Sequence, residues 1–206
     1  MKMIHNRKIN GYLIIDNWYS EEEEYCVWKE LDFYQTTELE KGEETIGDTI
    51  ATNDKDEPLG KHLRIHLDTL YKEQFKKQSH ILRLSTKIQN DTFHKKVLEA
   101  NPIYGRNFTA TNYDHNLISY YEDKHFYKPH IDSFLWTMLI WFYKEPKNFK
   151  GGELVFVDSK EIIELKHNRM ILFPSYFLHE VTPIHINEEF KKGDGRYTIT
   201  KFLNYR

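Results

Sequence analysis

The sequence predicts an α+β protein in which helices of the N-terminal half pack against one face of a β-barrel-like core. Apolar residues recur at helical spacing before residue 105, whereas short apolar runs separated by turn residues follow it. A length of 206 residues with 15% aromatic residues is sufficient for one well-packed domain. We therefore expect a single domain over 1–206, with 1–104 as helix-rich support and 105–206 as the β core.

The N-terminal half is predicted to begin with a strand over 11–18, followed by a helix. Ser20 and Glu23 have the spacing of a capping box, in which each side chain bonds the backbone N–H of the other residue. Apolar residues at helical spacing predict helices across 59–101: Leu63, Leu67, Leu70, Tyr71, Phe93, Val97 and Leu98. Residues 35–58 lack an apolar period, so we expect either a mobile flap that orders over substrate or, equally, a disordered surface insertion.

The C-terminal half is predicted to contain a series of short strands. They cover 109–113, 117–121, 136–143, 153–157, 161–165, 170–173, 179–181 and 196–203. Gly151 and Gly152 are expected in a tight turn with positive φ. Trp136, Trp141 and Phe142 are expected in the core rather than on a substrate surface.

The charge balance disfavours a polyanionic partner. The 29 Lys and Arg against 32 Asp and Glu give a formal net charge of −3, which provides no global attraction to nucleic acid or anionic lipid. There is no apolar run long enough to span a membrane and no signal-type segment near Met1, so we expect no membrane partner. The single cysteine, Cys26, predicts a reducing, cytoplasmic location. The sequence does not predict an oligomeric state.

Metal chemistry in this chain must depend on histidines and carboxylates. Cys26 is the single cysteine, which excludes an internal disulfide and a cysteine-based zinc or iron–sulfur site. His130 and Asp132 form a His-x-Asp motif, and on a strand two such side chains point to the same face. His125 is the substitute if His130 is not a ligand, and otherwise His125, His167 and His185 are expected at surface or loop positions.

Several segments follow this motif in a defined order: 151–156, 171–174, 178–183 and 195–200. In that order they resemble the prolyl-4-hydroxylase-like branch of the Fe(II)- and 2-oxoglutarate-dependent dioxygenases, over about residues 105–205. The resemblance implies a double-stranded β-helix (jelly-roll) core with the N-terminal helices packed on one face. It also implies Fe(II), 2-oxoglutarate as co-substrate and O2, and it allows ascorbate as an accessory reductant.

By this resemblance His130, Asp132 and His179 are the iron ligands. Two histidines and one carboxylate on one face of an octahedral ion leave adjacent positions open, as in non-haem Fe(II) oxygenases. The 46 residues between Asp132 and His179 include four predicted strands, an even number that lets a meander return His179 to the pair. The resemblance therefore agrees with the chemistry of the residues.

The same resemblance assigns the co-substrate site. Arg196 would bind the distal carboxylate of 2-oxoglutarate, with help from Thr198 on the same strand face and from the Tyr120 hydroxyl. A planar, permanently charged guanidinium suits a carboxylate because it forms two parallel hydrogen bonds. The spacing of 16 residues between His179 and Arg196 is longer than usual in the family, but Arg169 and Arg206 lack the following x-Thr pattern.

Four functions remain open at this point. The resemblance implies hydroxylation of a prolyl or other residue in a protein or peptide, with decarboxylation of 2-oxoglutarate to succinate and CO2. The same chemistry on a free amino acid or similar small molecule is the second. A nucleic-acid demethylase would need base flipping and a cationic surface, which the net charge disfavours. A non-catalytic β-barrel binding module is disfavoured by the complete set of site residues.

Overall fold

The computed structural model describes residues 3–4, 11–37, 51–186 and 191–205. Its α-helices are α1 (Glu21–Thr37), α2 (Leu67–Leu70), α3 (His80–Ser85), α4 (Asp91–Ala100) and α5 (Gly105–Thr109), with 3₁₀ turns at Glu73–Gln78 and Thr86–Ile88. Its strands are β1 (Met3–Ile4), β2 (Leu13–Asp16), β3 (Gly60–Lys61), β4 (Leu63–His66), β5 (Tyr113–Tyr121), β6 (Phe126–His130), β7 (Trp136–Phe142), β8 (Phe149–Lys150), β9 (Leu154–Phe156), β10 (Glu161–Ile163), β11 (Arg169–Pro174), β12 (His179–Val181), β13 (His185–Ile186) and β14 (Arg196–Asn204).

These strands form two main antiparallel sheets and a short ribbon. The larger sheet has the order β1-β2-β11-β7-β14-β5-β4, and the smaller one has the order β10-β9-β12-β6-β3. The ribbon pairs β13 with β8. The observed architecture is therefore a mixture of helices and antiparallel sheet, as the sequence predicted.

The larger sheet separates two apolar layers, because side chains alternate along its central strands. On β7, Ile140 and Phe142 pack with residues of α1, α3 and α4, whereas Leu139 and Trp141 pack with residues of the smaller sheet. The helices thus cover one face of the larger sheet, and the smaller sheet covers the other. We call the layer between the two sheets the inner layer and the layer under the helices the outer layer.

Several local predictions are confirmed. The Ser20 backbone N–H donates to Glu23 Oε2 over 2.9 Å, and the Glu23 N–H donates to Ser20 Oγ over 3.3 Å, which is the expected capping box at the start of α1. Gly151 and Gly152 both have φ of +78°. All the predicted strands after residue 115 are present, with small differences at their ends.

Two predictions of secondary structure were wrong. Residues 59–101 are not uniformly helical, because β3 and β4 occupy their beginning and Leu63 and Ile65 are buried by strand alternation. Residues 109–113 are not a strand, since Thr109 ends α5 and β5 begins only at Tyr113.

The predicted flap over 35–58 falls largely outside the described residues. Its last part, from Ala51, is described, and there Thr52 pairs with Pro58 in an isolated bridge. The Ala51 N–H donates to the Tyr127 hydroxyl over 2.9 Å, which ties this part of the segment to β6. Within the described residues, no helix combines the length and apolar character needed to cross a bilayer.

Candidate metal centre

His130, Asp132 and His179 lie together at one end of the smaller sheet. His130 ends β6 and His179 begins β12, and the two residues are register partners in these antiparallel strands. His130 Nε2 lies 3.8 Å from Asp132 Oδ1, and His179 Nε2 lies 3.6 Å from Asp132 Oδ2. One potential ligand atom from each residue lies within 4.8 Å of the others. This spacing suits a single ion bound by all three residues.

Backbone carbonyl groups fix the orientation of both imidazoles. His130 Nδ1 lies 2.8 Å from the carbonyl oxygen of Lys128, and His179 Nδ1 lies 2.8 Å from that of Phe177. A carbonyl oxygen only accepts, so each Nδ1 carries the proton and donates it. The lone pair of each Nε2 is therefore left facing the cluster, which is the tautomer that a metal ligand requires.

Asp132 is positioned by a turn rather than by a strand. It follows the end of β6, so the prediction that His130 and Asp132 share a strand face was wrong. The Thr137 hydroxyl donates to Asp132 Oδ2 over 2.6 Å, and the Asp132 backbone N–H donates to the carbonyl oxygen of Ser175 over 3.0 Å. These two contacts hold the carboxylate toward the histidines without strand alternation.

Burial sets the protonation behaviour of the cluster. It lowers the pKa of His130 to about 3, with the nearby His179 and Arg64 acting in the same direction. Burial also raises the pKa of Asp132, which the neighbouring His179 and the Thr137 hydrogen bond partly oppose. A neutral imidazole and a buried carboxylate without a bonded cation form a donor set that a divalent ion would stabilise.

Arg196 is a buried cation on the inner face of the larger sheet. It is 0% exposed, and its Nη1 and Nη2 groups donate to the Gly152 carbonyl oxygen over 2.6 Å and to the Thr198 hydroxyl over 2.8 Å. Its Nε is buried and has no hydrogen-bond partner among the described residues. Burial lowers the pKa of Arg196 to about 10, so the guanidinium stays charged at neutral pH. An unpaired donor on a buried cation fits the carboxylate of a ligand.

This site falls within a segment that matches a known family. Residues 116–204 match the sequence model of the 2OG-Fe(II) oxygenase superfamily. The match covers less than half of the chain, and over this segment the chain resembles that superfamily. This resemblance implies Fe(II), 2-oxoglutarate and O2. The donor set of the triad fits the ion, and the Nε of Arg196, without a partner among the described residues, fits a carboxylate of 2-oxoglutarate.

Curated relatives match over a shorter stretch. A PKHD-type hydroxylase of Shewanella baltica strain OS155 is 44% identical over 45 residues, which are 21% of this chain and 20% of that protein. A PKHD-type hydroxylase of strain OS185 is 42% identical over 45 residues, again 21% of this chain and 20% of that protein. The match therefore spans about a fifth of the length of these relatives.

Solved oxygenase structures match over nearly the whole chain. A Pseudomonas putida prolyl-4-hydroxylase has a TM-score of 0.60 at 15% identity, covering 96% of this chain and 94% of that one. A Trichoplax adhaerens prolyl hydroxylase, solved with a hypoxia-inducible-factor peptide fragment, has a TM-score of 0.56 at 15% identity, with 95% and 84% covered. The viral collagen prolyl hydroxylase of Paramecium bursaria Chlorella virus-1 has a TM-score of 0.54 at 15% identity, with 98% and 99% covered. At this identity the likeness establishes the fold.

The co-substrate role predicted for Tyr120 was wrong. Tyr120 is the register partner of Tyr197, and both side chains lie in the outer layer. Its hydroxyl accepts hydrogen bonds from the Gly193 and Gly195 N–H groups, at 2.9 and 3.1 Å. The tyrosine beside Arg196 is Tyr121, its register partner, and the Arg196 guanidinium carbon lies 4.8 Å from the centre of the Tyr121 ring.

The remaining predicted candidates lie outside the triad. His125 is buried and its Nδ1 accepts the Glu122 N–H over 3.1 Å, so it does not replace His130. His167 contacts Glu24 on α1 at 2.7 Å, and His185 is exposed on β13. Two other arginines were considered for 2-oxoglutarate. Arg169 is paired with Asp16, its Nη2 lying 3.0 Å from Oδ2, and Arg206 lies outside the described residues.

Two side chains near the site, His62 and Arg64, were not predicted from sequence, and whether Tyr127 reaches the site was left open. The Tyr127 ring stacks on the His130 ring with centroids 3.6 Å apart. No motif marks His62 or Arg64, because they come from the N-terminal half and reach the site only through the pairing of β3 with β6 and β4 with β5. Tyr127 lies three residues before His130, which suggested that it is near the site. The irregular chain around Pro129 allowed no prediction of the sheet face to which its side chain points.

Proposed function

We propose that this protein is an Fe(II)- and 2-oxoglutarate-dependent dioxygenase that hydroxylates a prolyl or other residue of a protein or peptide. 2-Oxoglutarate would be decarboxylated to succinate and CO2 in the same reaction. The observation that supports this most strongly is one inner layer that contains both a two-histidine, one-carboxylate cluster and a buried arginine with an unpaired N–H. We further propose that 1–206 form one such domain, with a double-stranded β-helix core over 105–206.

In this proposal His130, Asp132 and His179 hold the iron. Bound Fe(II), with 2-oxoglutarate and O2, supplies an oxidant that can insert one oxygen atom into a C–H bond. The protein contributes the geometry: the Lys128 and Phe177 carbonyl groups keep both Nδ1 atoms protonated, and Thr137 fixes the carboxylate. Since these partners are backbone or buried groups, the ligand positions are set before the metal binds.

Arg196 would bind the distal carboxylate of 2-oxoglutarate, and Thr198 would orient it. Thr198 accepts from Arg196 Nη2, and the Gly152 carbonyl oxygen accepts from Nη1, so both terminal nitrogens of the guanidinium are fixed. Its Nε has no partner among the described residues. The aromatic rings of Tyr121 and Trp141 lie 4.8 and 5.8 Å from the guanidinium carbon. Such walls exclude water and strengthen a charge pair formed inside them.

We propose an extended, proline-containing polypeptide as the substrate. Exposed apolar and aromatic side chains lie close to the metal ligands in sequence: Ile131 is 56% exposed and Tyr176 is 50% exposed. Tyr176 also lines, with Tyr104 and Phe177, a cavity of about 280 Å³, large enough for a prolyl ring. Proline-rich chains are pre-extended and dock on aromatic surfaces at low entropic cost. A cytoplasmic location is part of the proposal, supported by the unpaired Cys26.

The test is an oxygen-incorporation assay on purified protein with Fe(II), 2-oxoglutarate, ascorbate and O2. Separate reactions contain proline-containing peptides, free amino acids or methylated oligonucleotides. We expect peptides to gain one oxygen atom by intact mass, with succinate formed in parallel. If only free amino acids gain oxygen, the substrate is a small molecule and the peptide proposal is wrong. If the oligonucleotide loses a methyl group, the protein is a nucleic-acid demethylase. If no reaction forms succinate, the dioxygenase proposal is rejected.

A further inference from the structure

His62 is a buried side chain between the metal ligands and Arg196. It lies between β3 and β4 in the N-terminal half and is 1% exposed. Its ring stacks on Tyr121, with centroids 4.7 Å apart and planes at 14°, and its centroid lies 5.2 Å from that of Tyr127. Tyr121 in turn contacts Arg196, and Tyr127 stacks on His130. The imidazole is therefore adjacent to both halves of the candidate site.

A hydrogen bond from Arg64 determines which nitrogen of His62 is protonated. Arg64 Nε donates to His62 Nε2 over 2.6 Å. A guanidinium N–H can only donate, so His62 Nε2 is the acceptor and Nδ1 carries the proton. Burial, together with the nearby Arg64, His125, Arg196 and His130, holds the pKa of His62 well below its ordinary value, in agreement with a neutral ring.

The Nδ1–H of His62 has no acceptor among the described residues, although it is buried. It shares this property with two neighbouring donors, Arg196 Nε and Trp141 Nε1. Both neighbours belong to the same inner layer, and the Arg196 guanidinium carbon lies 5.8 Å from the Trp141 ring. Buried donors in native proteins are almost always paired. Three donors without a partner among the described residues, two of them on residues that contact Tyr121, indicate a place for an oxygen-rich ligand.

We propose that His62 Nδ1–H donates a hydrogen bond to an oxygen atom of 2-oxoglutarate. The N-terminal half would then supply a co-substrate contact beside Arg196, with Arg64 acting as the positioning residue that keeps the proton on Nδ1. This inference rests on the proposed function. It concerns a residue that lies outside the segment 116–204 matched to the oxygenase superfamily.

Two amide substitutions distinguish the roles of the two ring nitrogens of His62. In His62→Asn the side-chain amide reaches the position of Nδ1, whereas in His62→Gln it reaches the position of Nε2. The measurement is calorimetric titration of 2-oxoglutarate into Mn(II)-loaded protein without O2. We expect His62→Gln to bind 2-oxoglutarate about 10- to 100-fold more weakly than wild type, and His62→Asn to retain about tenfold tighter binding than His62→Gln. Mn(II) affinity should be unchanged in both variants.

The outcomes separate this inference from the proposed function. If wild type does not bind 2-oxoglutarate, the proposed function fails and the inference fails with it. If wild type binds and His62→Gln binds equally well, only the inference is overturned. It is also overturned if His62→Gln raises the KM for a peptide substrate while its affinity for 2-oxoglutarate stays at the wild-type value, because the acceptor then belongs to the polypeptide.

A measurement on the wild-type protein covers the case in which the variants do not fold. The Zn(II)-loaded protein is diamagnetic, so the assigned Nδ1–H cross-peak of His62 can be followed by NMR. Addition of 2-oxoglutarate should shift this proton downfield, as expected when an unpaired donor gains a charged acceptor. An unchanged cross-peak at saturating 2-oxoglutarate would overturn the inference.

Discussion

The two faces of the larger sheet bury side chains of different chemistry. Tyr120 and Tyr121 are adjacent on β5 and both are buried, yet Tyr120 packs in the outer layer and Tyr121 beside Arg196 in the inner layer. The neighbouring strand β14 shows the same contrast, since Tyr197 faces the helices and Arg196 faces the smaller sheet. A one-residue difference along a strand thus decides between a packing role and a ligand-facing role.

This contrast indicates that stability and chemistry are largely separated across one sheet. The outer layer is built from apolar residues of the helices and of β7, β11 and β14. The inner layer contains the buried cation Arg196, the unpaired donors and the metal candidates at the end of the smaller sheet. Substitutions on the two sides should therefore change different properties, and the predictions that follow test that difference.

The largest effect is expected from the metal ligands. Replacing His179 or Asp132 by alanine should abolish formation of succinate from 2-oxoglutarate, because two remaining ligands cannot hold the ion in the required geometry. The fold should persist, since neither residue belongs to an apolar core cluster. Succinate yield and thermal unfolding, measured on the same preparation, check this prediction. If a variant binds metal and turns over at nearly the wild-type rate, the substituted residue is not a metal ligand.

The opposite result is expected for Phe142 in the outer layer. Its ring is fully buried and lies 5.5 Å from Trp28 and 6.0 Å from Tyr19. Phe142→Ala should reduce the free energy of unfolding by about 3–5 kcal/mol, because it leaves a cavity. The folded fraction should still bind 2-oxoglutarate with wild-type affinity. Denaturant titration measures the first quantity and calorimetry the second, with Ile140→Val as a milder control of about 0.5–1.5 kcal/mol.

Arg196 should control the affinity for 2-oxoglutarate. Arg196→Ala removes a charge-assisted bidentate pair and should weaken binding by about 2–5 kcal/mol, because the carboxylate is then left buried and unpaired. Arg196→Lys should restore only part of this affinity, since an ammonium group cannot form the same two parallel bonds. If Arg196→Ala leaves the concentration dependence on 2-oxoglutarate unchanged, another cation binds the carboxylate.

A smaller effect is expected at Thr137, which orients Asp132 without facing the ion. Thr137→Val keeps the shape of the side chain and removes the 2.6 Å hydrogen bond to Asp132 Oδ2. Metal affinity should fall by about 10- to 100-fold, the usual cost of losing a group that orients a ligand. Thr137→Ser, which keeps the hydroxyl, is the matched control. Equal metal affinity in the valine and serine variants would show that the hydrogen bond has no orienting role.

The C-terminal strands could be predicted from sequence because each is a short apolar run with clear turn residues at its ends. The metal candidates could be predicted because their motif is local and the segments that follow it keep a family order. Residues 63–66 could not be assigned correctly by periodicity, since leucines at 63, 67 and 70 fit a helix while Leu63 and Ile65 also fit a strand. Pairing of β4 with β5 decides this, and pairing is a tertiary property.

The same limit explains the misplaced tyrosine. Tyr120 lies on β5 and His130 lies on β6, with a turn between them. The alternation of side chains along one strand therefore does not predict which face a residue of the other strand occupies. Only the register between β5 and β14, which pairs Arg196 with Tyr121, shows which tyrosine faces the site. His62 was beyond prediction for a related reason, because a residue of the N-terminal half reaches the inner layer through edge strands that carry no motif.

The most direct test of the account is the metal stoichiometry of the purified protein. Anaerobic titration with Fe(II), followed by calorimetry, should give one ion per chain for wild type. The same titration on His130→Ala, Asp132→Ala and His179→Ala should show this binding lost in each variant. One ion bound with wild-type affinity in all three variants would contradict the account, because the cluster on the smaller sheet would then not be the iron site.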